Sequence, residues 1–175
     1  MLKLLILLTV LSIAVVSDLW SQKIPNWLTY PAMALGITYH STASGWGGLF
    51  FSLKGMGLGI ALMILPYIIG QMGAGDAKLM GAVGGLLGAK GVFVAFLFTS
   101  ILGGVYALVL LILHGHLKET LKRYLHMLRT FLVTGRFFYI PAPSVKRPKL
   151  CYGLAIAAGT LCSLFLAERI EFLGR

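Results

Sequence analysis

Long apolar stretches, with few charged residues inside them, run along most of this chain and limit what it can fold into. Of its 175 residues, 58% are hydrophobic and 11% are charged, whereas soluble domains carry about 25% charged residues. A soluble globule of this size could not bury so much apolar surface and would expose unusually large patches. The composition therefore predicts an integral membrane protein. It excludes a soluble enzyme, a disordered chain and a nucleic-acid-binding domain.

Six apolar stretches are candidates for membrane-spanning helices, because a bilayer core of about 30 Å needs roughly 20 apolar residues per helix. They cover residues 2–17, 27–39, 53–70, 77–88, 92–113 and 150–167, and the residues between them are predicted to be loops. Residues 77–113 would make a helix of about 55 Å, too long for one crossing, so we expect a break at Lys90 and Gly91. The predicted fold class is all-α: a polytopic membrane protein of about six transmembrane helices, forming one domain over residues 1–175.

Glycines spaced four residues apart recur within these stretches. Such pairs allow two helix backbones to approach closely in lipid, so we interpret them as packing positions. The pairs are Gly55 with Gly59, Gly81 with Gly85, and Gly84 with Gly88.

Basic residues cluster between two of the apolar stretches. Eight of the 15 Lys and Arg lie in residues 118–149, opposed only by Glu119. Loops with such an excess of Lys and Arg stay in the cytoplasm, so the segment 114–149 is predicted to be a cytoplasmic loop. Counting crossings back from this loop places Asp18 and Asp76 on the same, cytoplasmic face of the membrane.

The residues between 116 and 133 have a helical pattern of leucines and cations. Leucines recur at intervals of three or four, and Lys and Arg fill the other face. This pattern predicts an amphipathic helix on the cytoplasmic interface between spans five and six. Its role is open at this point: it could set the topology, bind lipid or gate the entry of a substrate.

Asp18 and Asp76 are the only two aspartates, and each stands at the end of an apolar stretch. Asp18 could be a solvated loop residue, and Asp76 could cap the helix that begins at Ala77. The neighbouring residues favour a chemical role. Glycines before Asp76 leave room for a peptide backbone to come close. The residues Pro25 and Asn26, which follow Asp18, suit a turn and the start of a helix.

Two aspartates on one membrane face predict a catalytic dyad. One carboxylate would take a proton from water while the other, protonated, polarises the carbonyl of the bond to be cleaved. Like charges close together favour one proton shared by the pair. Because Asp76 lies at a helix N-terminus and Asp18 at a helix C-terminus, the helix dipoles predict that Asp18 holds this proton.

Other functional classes have weaker support. Two aspartates near one face could serve a transporter or channel, although no Asp, Glu or His lies in the middle of a span. Both could also be helix caps in a scaffold subunit of a secretion machine. His114 and His116 are two residues apart and do not share a helix face, and no CxxC pair occurs. We therefore predict no metal and no cofactor, and the oligomeric state stays open.

Both aspartate-containing segments resemble the paired motifs of the type IV prepilin leader peptidases, the GxGD-type intramembrane aspartic proteases of bacteria. Residues 17–26 read SDLWSQKIPN, residues 73–79 read GAGDAKL, and residues 152–159, YGLAIAAG, are similar to the last-span motif of that family. The resemblance implies that Asp18 and Asp76 are the catalytic pair. It also implies motif residues close to the substrate, which are Gly73, Gly75, Lys78, Pro25 and Asn26.

Membership of that family would imply a function and a location. The enzyme would remove the short basic leader of prepilins or pseudopilins at the cytoplasmic face of the bacterial inner membrane, during pilus assembly or protein secretion. The chain is more similar to the short branch that serves tight-adherence (Flp) pilins, because it has no paired CxxC motifs. N-methyltransferase activity is therefore left open. The expected partners are the prepilin substrates and the lipid bilayer, without nucleic acid.

Overall fold

The computed structural model describes residues 2–69, 72–115, 117–135 and 151–173. Every regular element in these ranges is an α-helix, which confirms the all-α fold class. The helices are α1 (Leu2–Ser21), α2 (Asn26–Ile68), α3 (Ala74–Leu113), α4 (Leu117–Thr134) and α5 (Tyr152–Leu173).

The chain divides into two compact units. Met1–Gly103 and Cys151–Arg175 form the first unit, and Gly104–Leu150 form the second. Whether the whole chain acts as one membrane domain stays a prediction. Much of the basic loop predicted at 114–149 lies outside the described residues, and so does Gly70, the expected end of the third span.

Three helices, α1, α2 and α3, are long and apolar enough to cross a membrane. A shorter apolar helical segment, Tyr152–Leu166, belongs to α5. These lengths support a membrane protein, while the number of six crossings stays a prediction. A helix, α4, also forms where the sequence predicts an amphipathic one. Its position on a membrane surface stays a prediction.

The loop expected between spans two and three is almost entirely helical. The α2 helix runs through residues 40–52, and only Ser44 (φ −139°, ψ 16°) and Gly45 (φ 58°, ψ −136°) leave the helical conformation. The prediction of a long loop there was wrong. A two-residue break is enough, because glycine adopts a positive φ with little steric cost.

The break in α3 lies at Gly88 (φ 74°, ψ 178°), whereas we expected it at Lys90 and Gly91, which are both helical. Packing between helices explains the position. A Cβ atom on Gly88 would overlap the phenyl ring of Phe51 in α2. The ring thus packs directly against the bare backbone of the residue that turns, a contact that the sequence alone does not reveal.

The core of the first unit is built around the N-terminal part of α3. Residues 79–86 are buried on every side of the helix, as expected for a helix surrounded by others. The first helix contributes Leu7, Leu11 and Ala14, which are spaced to lie on one helix face and are all buried. It packs against α2 and α5. This packing brings the C-terminal end of α1 close to the start of α5.

Glycines let α2 and α3 approach each other closely. A Cβ atom on Gly55 would overlap the backbone carbonyl of Gly84, and one on Gly59 would overlap the backbone of Met80. These contacts confirm the packing role predicted for the glycine pairs. In lipid, helices associate largely through such van der Waals contact between backbones.

Replacing Gly55 tests this packing, with Gly57 of the same helix as the matched control. We expect Gly55→Ala to lower the free energy of unfolding by about 1–3 kcal/mol, because the new methyl group meets the α3 backbone. A Cβ atom on Gly57 meets nothing within 4 Å, so Gly57→Ala should be neutral or slightly stabilising. Thermal unfolding of both variants in detergent is the measurement. Equal stability of the two variants would contradict the assignment.

Candidate active site

Asp18 lies in the last turn of α1 and is buried, with 5% of its surface exposed. The helix continues to Ser21, four residues beyond the predicted span. One carboxylate oxygen, Oδ2, accepts a hydrogen bond from the backbone N–H of Gly153 at 2.8 Å. Gly153 is in the first turn of α5, where backbone N–H groups have no partner within the helix. The N-terminus of α5 therefore supplies a donor to Asp18.

Glycine at position 153 makes this contact possible. A Cβ atom there would lie 3.0 Å from Oδ2 of Asp18 and 3.3 Å from its Cγ. Cys151, just before α5, donates a weak hydrogen bond from Sγ to the backbone carbonyl of Asp18 at 3.8 Å. The sequence pattern around Cys151 does not indicate that this residue lies near Asp18. Its proximity to Asp18 depends on the packing of α1 against α5.

Asp76 is the third residue of α3 and is also buried, with 8% of its surface exposed. Its Oδ2 accepts a hydrogen bond from the backbone N–H of Gly73 at 3.0 Å. A side chain in the first turn that reaches back to the residue before the helix is the acidic half of a capping box. The helix begins at Ala74, so Asp76 caps from inside the first turn. We had expected a helix start at Ala77.

The turn that follows Asp18 contacts Gly75, the residue before Asp76, so the fold brings both aspartates into one region. Asp18 is close enough to Asp76 for their charges to interact, and both groups are buried within the first unit. Each accepts one backbone N–H at the start of a helix, α5 for Asp18 and α3 for Asp76. The expectation that Asp18 holds the shared proton rests on two helix ends, the N-terminus of α3 at Asp76 and the C-terminus of α1 at Asp18. The structure places Asp18 and Asp76 at these helix ends. The N-terminus of α5 adds a dipole that favours the anionic form of Asp18, so the location of the proton stays a prediction.

A tight turn joins α1 to α2 beside Asp18. Gln22 adopts a left-handed conformation (φ 52°), which is uncommon for a residue with a side chain. Its backbone N–H donates to the carbonyl of Asp18 at 2.9 Å. Two hydroxyl groups stabilise the turn: Ser17 donates to the carbonyl of Lys23 at 2.9 Å, and Ser21 donates to the same carbonyl at 3.2 Å. These serines belong to the quoted motif, but the sequence did not reveal their role.

The same turn rests on the start of α3. A Cβ atom on Gly75 would lie 2.8 Å from the carbonyl oxygen of Ile24, so only glycine permits this contact without displacement. The next residue, Pro25, is the N-cap of α2 in an extended conformation (φ −73°, ψ 145°). Its carbonyl accepts the backbone N–H of Leu28 at 3.1 Å. Gly75 and Pro25 therefore shape the backbone near the two aspartates.

A lysine connects the starts of α2 and α3. The ammonium group of Lys78 donates a hydrogen bond to Oδ1 of Asn26 at 2.8 Å. It also lies 4.8 Å from the centre of the Tyr30 ring, a distance that allows a cation–π interaction. The resemblance to the family identified Lys78 and Asn26 as motif residues, but it did not indicate that their side chains contact each other. The structure brings them together across 52 residues of sequence.

Metal ligands do not gather in the described part of the chain. No group of three or more His, Cys, Asp or Glu side chains that could hold a metal occurs there. His114 is engaged by its own helix, with Nδ1 at 2.8 Å from the carbonyl oxygen of Leu110. His116 lies outside the described residues. The absence of a metal or cofactor stays a prediction.

Comparison with known proteins supports the resemblance seen in the sequence. A family model described as the type IV leader peptidase family matches residues 5–108, a range that contains both aspartates. The third motif, at residues 152–159, lies beyond the matched range. No curated protein and no solved structure gives a match.

A double-mutant cycle tests the link between Lys78 and Asn26. If the two side chains stabilise the fold through each other, Lys78→Met and Asn26→Leu should have non-additive effects on unfolding, with a coupling energy of roughly 0.5–3 kcal/mol. Lys90→Met, which removes an exposed lysine from the same helix, serves as the control and should show no coupling to Asn26→Leu. Unfolding in detergent is the measurement. Additive effects of the Lys78 and Asn26 variants would contradict the link.

Proposed function

This chain belongs to the type IV leader peptidase family, and we propose that it is an intramembrane aspartic endopeptidase with Asp18 and Asp76 as its catalytic pair. The observation that carries the proposal is the placement of two buried carboxylates in one compact unit, within range of each other's charge and each held by one backbone N–H. Two such groups can share one proton, which is what peptide hydrolysis by two aspartates requires.

The proposed mechanism uses the two carboxyl groups in different protonation states. The ionised carboxylate takes a proton from a water molecule, and the water oxygen attacks the carbonyl carbon of the scissile peptide bond. The protonated carboxyl group donates its proton to the carbonyl oxygen. Collapse of the tetrahedral intermediate then breaks the C–N bond. The departing nitrogen receives the proton taken from water, and one hydroxyl group of the intermediate returns its proton to the carboxylate that had protonated the carbonyl oxygen. The enzyme returns to its starting state with one proton on the pair.

A glycine beside Asp76 leaves room for a peptide backbone to approach the carboxylates. Gly73 is exposed beside Asp76, and a Cβ atom there would lie 3.5 Å from Oδ2. We propose that a substrate strand reaches the dyad past Gly73. Asp18 and Asp76 both lie within a turn of a helix end, where water from the membrane surface is within reach.

We propose type IV prepilins, in particular Flp-like prepilins, as substrates. A prepilin has a short basic leader followed by a hydrophobic helix, so its cleavage site would lie at the membrane surface, at the level of the dyad. The exposed Trp20 and Trp27 on either side of the α1–α2 turn suit the interfacial region of a bilayer. The bias of Lys and Arg supports a cytoplasmic orientation of this end in a bacterial inner membrane. N-methylation of the new N-terminus is not part of the proposal.

Leader cleavage is the direct test. Membranes that contain the protein are incubated with a tagged prepilin, with Asp18→Asn and Asp76→Asn beside the wild type. Each substitution should lower the rate of cleavage by roughly 10²–10⁴-fold, because the pair can no longer exchange a proton with water and substrate. Glu119→Gln, a similar change at an acidic residue that the proposed mechanism does not use, should cleave at the wild-type rate. Cleavage that survives Asp18→Asn or Asp76→Asn would remove that residue from the mechanism.

Gly153→Ala tests whether the position of the Asp18 carboxylate matters. The added methyl group would lie 3.0 Å from Oδ2, so the carboxylate must shift. Misplacement of a reacting group by about 1 Å can cost up to 10²-fold in rate, and we expect kcat to fall with little change in KM. Gly104→Ala, where a Cβ atom meets nothing within 4 Å, is the control. An unchanged kcat for Gly153→Ala would contradict the assigned role of this contact.

A further inference from the structure

We propose that α4 is a binding surface for anionic phospholipids, docked on the bilayer beside the end of α3. The claim concerns the membrane contact of α4 and does not depend on which bond the peptidase cleaves. It rests on the tether to α3, on the arrangement of exposed leucines and cations along the helix, and on the sign of the charge.

The first observation is the short connection between α3 and α4. The helix α3, one of the three that are long and apolar enough to cross a membrane, ends at Leu113. The next helix, α4, begins at Leu117. The chain turns at Gly115, which has a φ of 71°. Three connecting residues span at most about 14 Å between the two helix ends. If α3 ends at the membrane surface, α4 therefore starts within the headgroup region.

The second observation is a row of exposed leucines. Leu121, Leu125 and Leu132 are each more than half exposed. Their spacing of four and seven residues places them on one side of the helix. Leucines exposed in a row are costly in water, and they suit a helix that lies flat with this side in the acyl boundary of a bilayer.

The third observation is a row of cations beside the leucines. The cations are Lys118, Lys122 and Arg129, and all three are exposed. Each lies three residues before one of the exposed leucines, so the spacing within the two rows is the same. A step of about 100° per residue places the two rows roughly 60° apart around the helix. When the leucines enter the acyl boundary, the cations therefore lie at the level of the lipid phosphates. Long basic side chains can extend to that level while their methylene groups stay in apolar surroundings.

Charge decides which surface fits. The sequence of α4 contains four Lys and Arg and a single acidic residue, Glu119. Anionic headgroups attract such a segment by about 1 kcal/mol for each Lys or Arg near the surface. A zwitterionic bilayer offers the leucines the same apolar boundary without this attraction. The arrangement thus points to a bilayer with anionic lipid.

Hydrogen–deuterium exchange of the full-length protein in lipid nanodiscs tests the proposal. One set of discs contains phosphatidylcholine only, and the other contains phosphatidylcholine mixed with phosphatidylglycerol. The amides of residues 117–134 should exchange more slowly in the mixed discs, by roughly fivefold for each cation engaged. High salt should abolish the difference, because it screens surface charges.

Two matched pairs of substitutions locate the effect. Lys118→Gln with Lys122→Gln should reduce the lipid-dependent slowing by roughly 25-fold, at about fivefold for each cation. Lys54→Gln with Lys90→Gln, two exposed lysines of α2 and α3, should leave it unchanged. Glutamine is nearly as good a helix former as lysine, and exchange of the variants in phosphatidylcholine discs shows whether α4 stays folded.

Equal exchange of the wild type in both kinds of disc, as for a helix that binds an acidic protein, would overturn the proposal. An equal effect of both pairs would also overturn it.

Discussion

A bilayer core offers no hydrogen-bond partners to a peptide backbone, so a chain that crosses it must satisfy its N–H and C=O groups within helices. Every regular element in the described part of this protein is helical. The α2 helix leaves the helical conformation only at Ser44 and Gly45, and α3 only at Gly88. At the start of each helix, the N–H groups of the first turn have no partner within the helix. The starts of α3 and α5 supply two of these donors, from Gly73 and Gly153, and buried carboxylates accept them.

The candidate active site follows from this constraint. A buried carboxylate is costly unless it is hydrogen-bonded, and the two aspartates lie where the helix ends provide N–H groups. Asp76 obtains its donor from the residue that precedes its own helix, whereas Asp18 obtains its donor from α5, at the other end of the chain. One aspartate is therefore positioned locally and the other by tertiary packing. Any disturbance of the α1–α5 contact should affect Asp18 before it affects Asp76.

The turn between α1 and α2 couples the two carboxylates mechanically. Asp18 begins this turn, Ile24 of the turn rests on Gly75, and Asn26 accepts a hydrogen bond from Lys78. Gly75 and Lys78 stand on either side of Asp76 in the first two turns of α3. The motif residues outside the dyad thus link the elements that carry the two carboxylates, while the proposed reaction needs only the carboxylates and water.

The sequence by itself determined the helical membrane class and the two aspartates, because apolar composition and scarce acidic residues are properties of the chain that do not depend on packing. It also identified the glycines at which helices meet. The sequence-based prediction misplaced the break in α3 by two residues and predicted a loop at 40–52. Both errors have the same cause: the glycine at which a helix breaks is selected by packing against neighbouring helices, as the ring of Phe51 packs against Gly88. Only the tertiary structure paired Lys78 with Asn26 and gave Asp18 the helix start of α5. Those contacts join residues far apart in the chain, and local patterns of hydrophobicity and charge carry no information about which distant residues will touch.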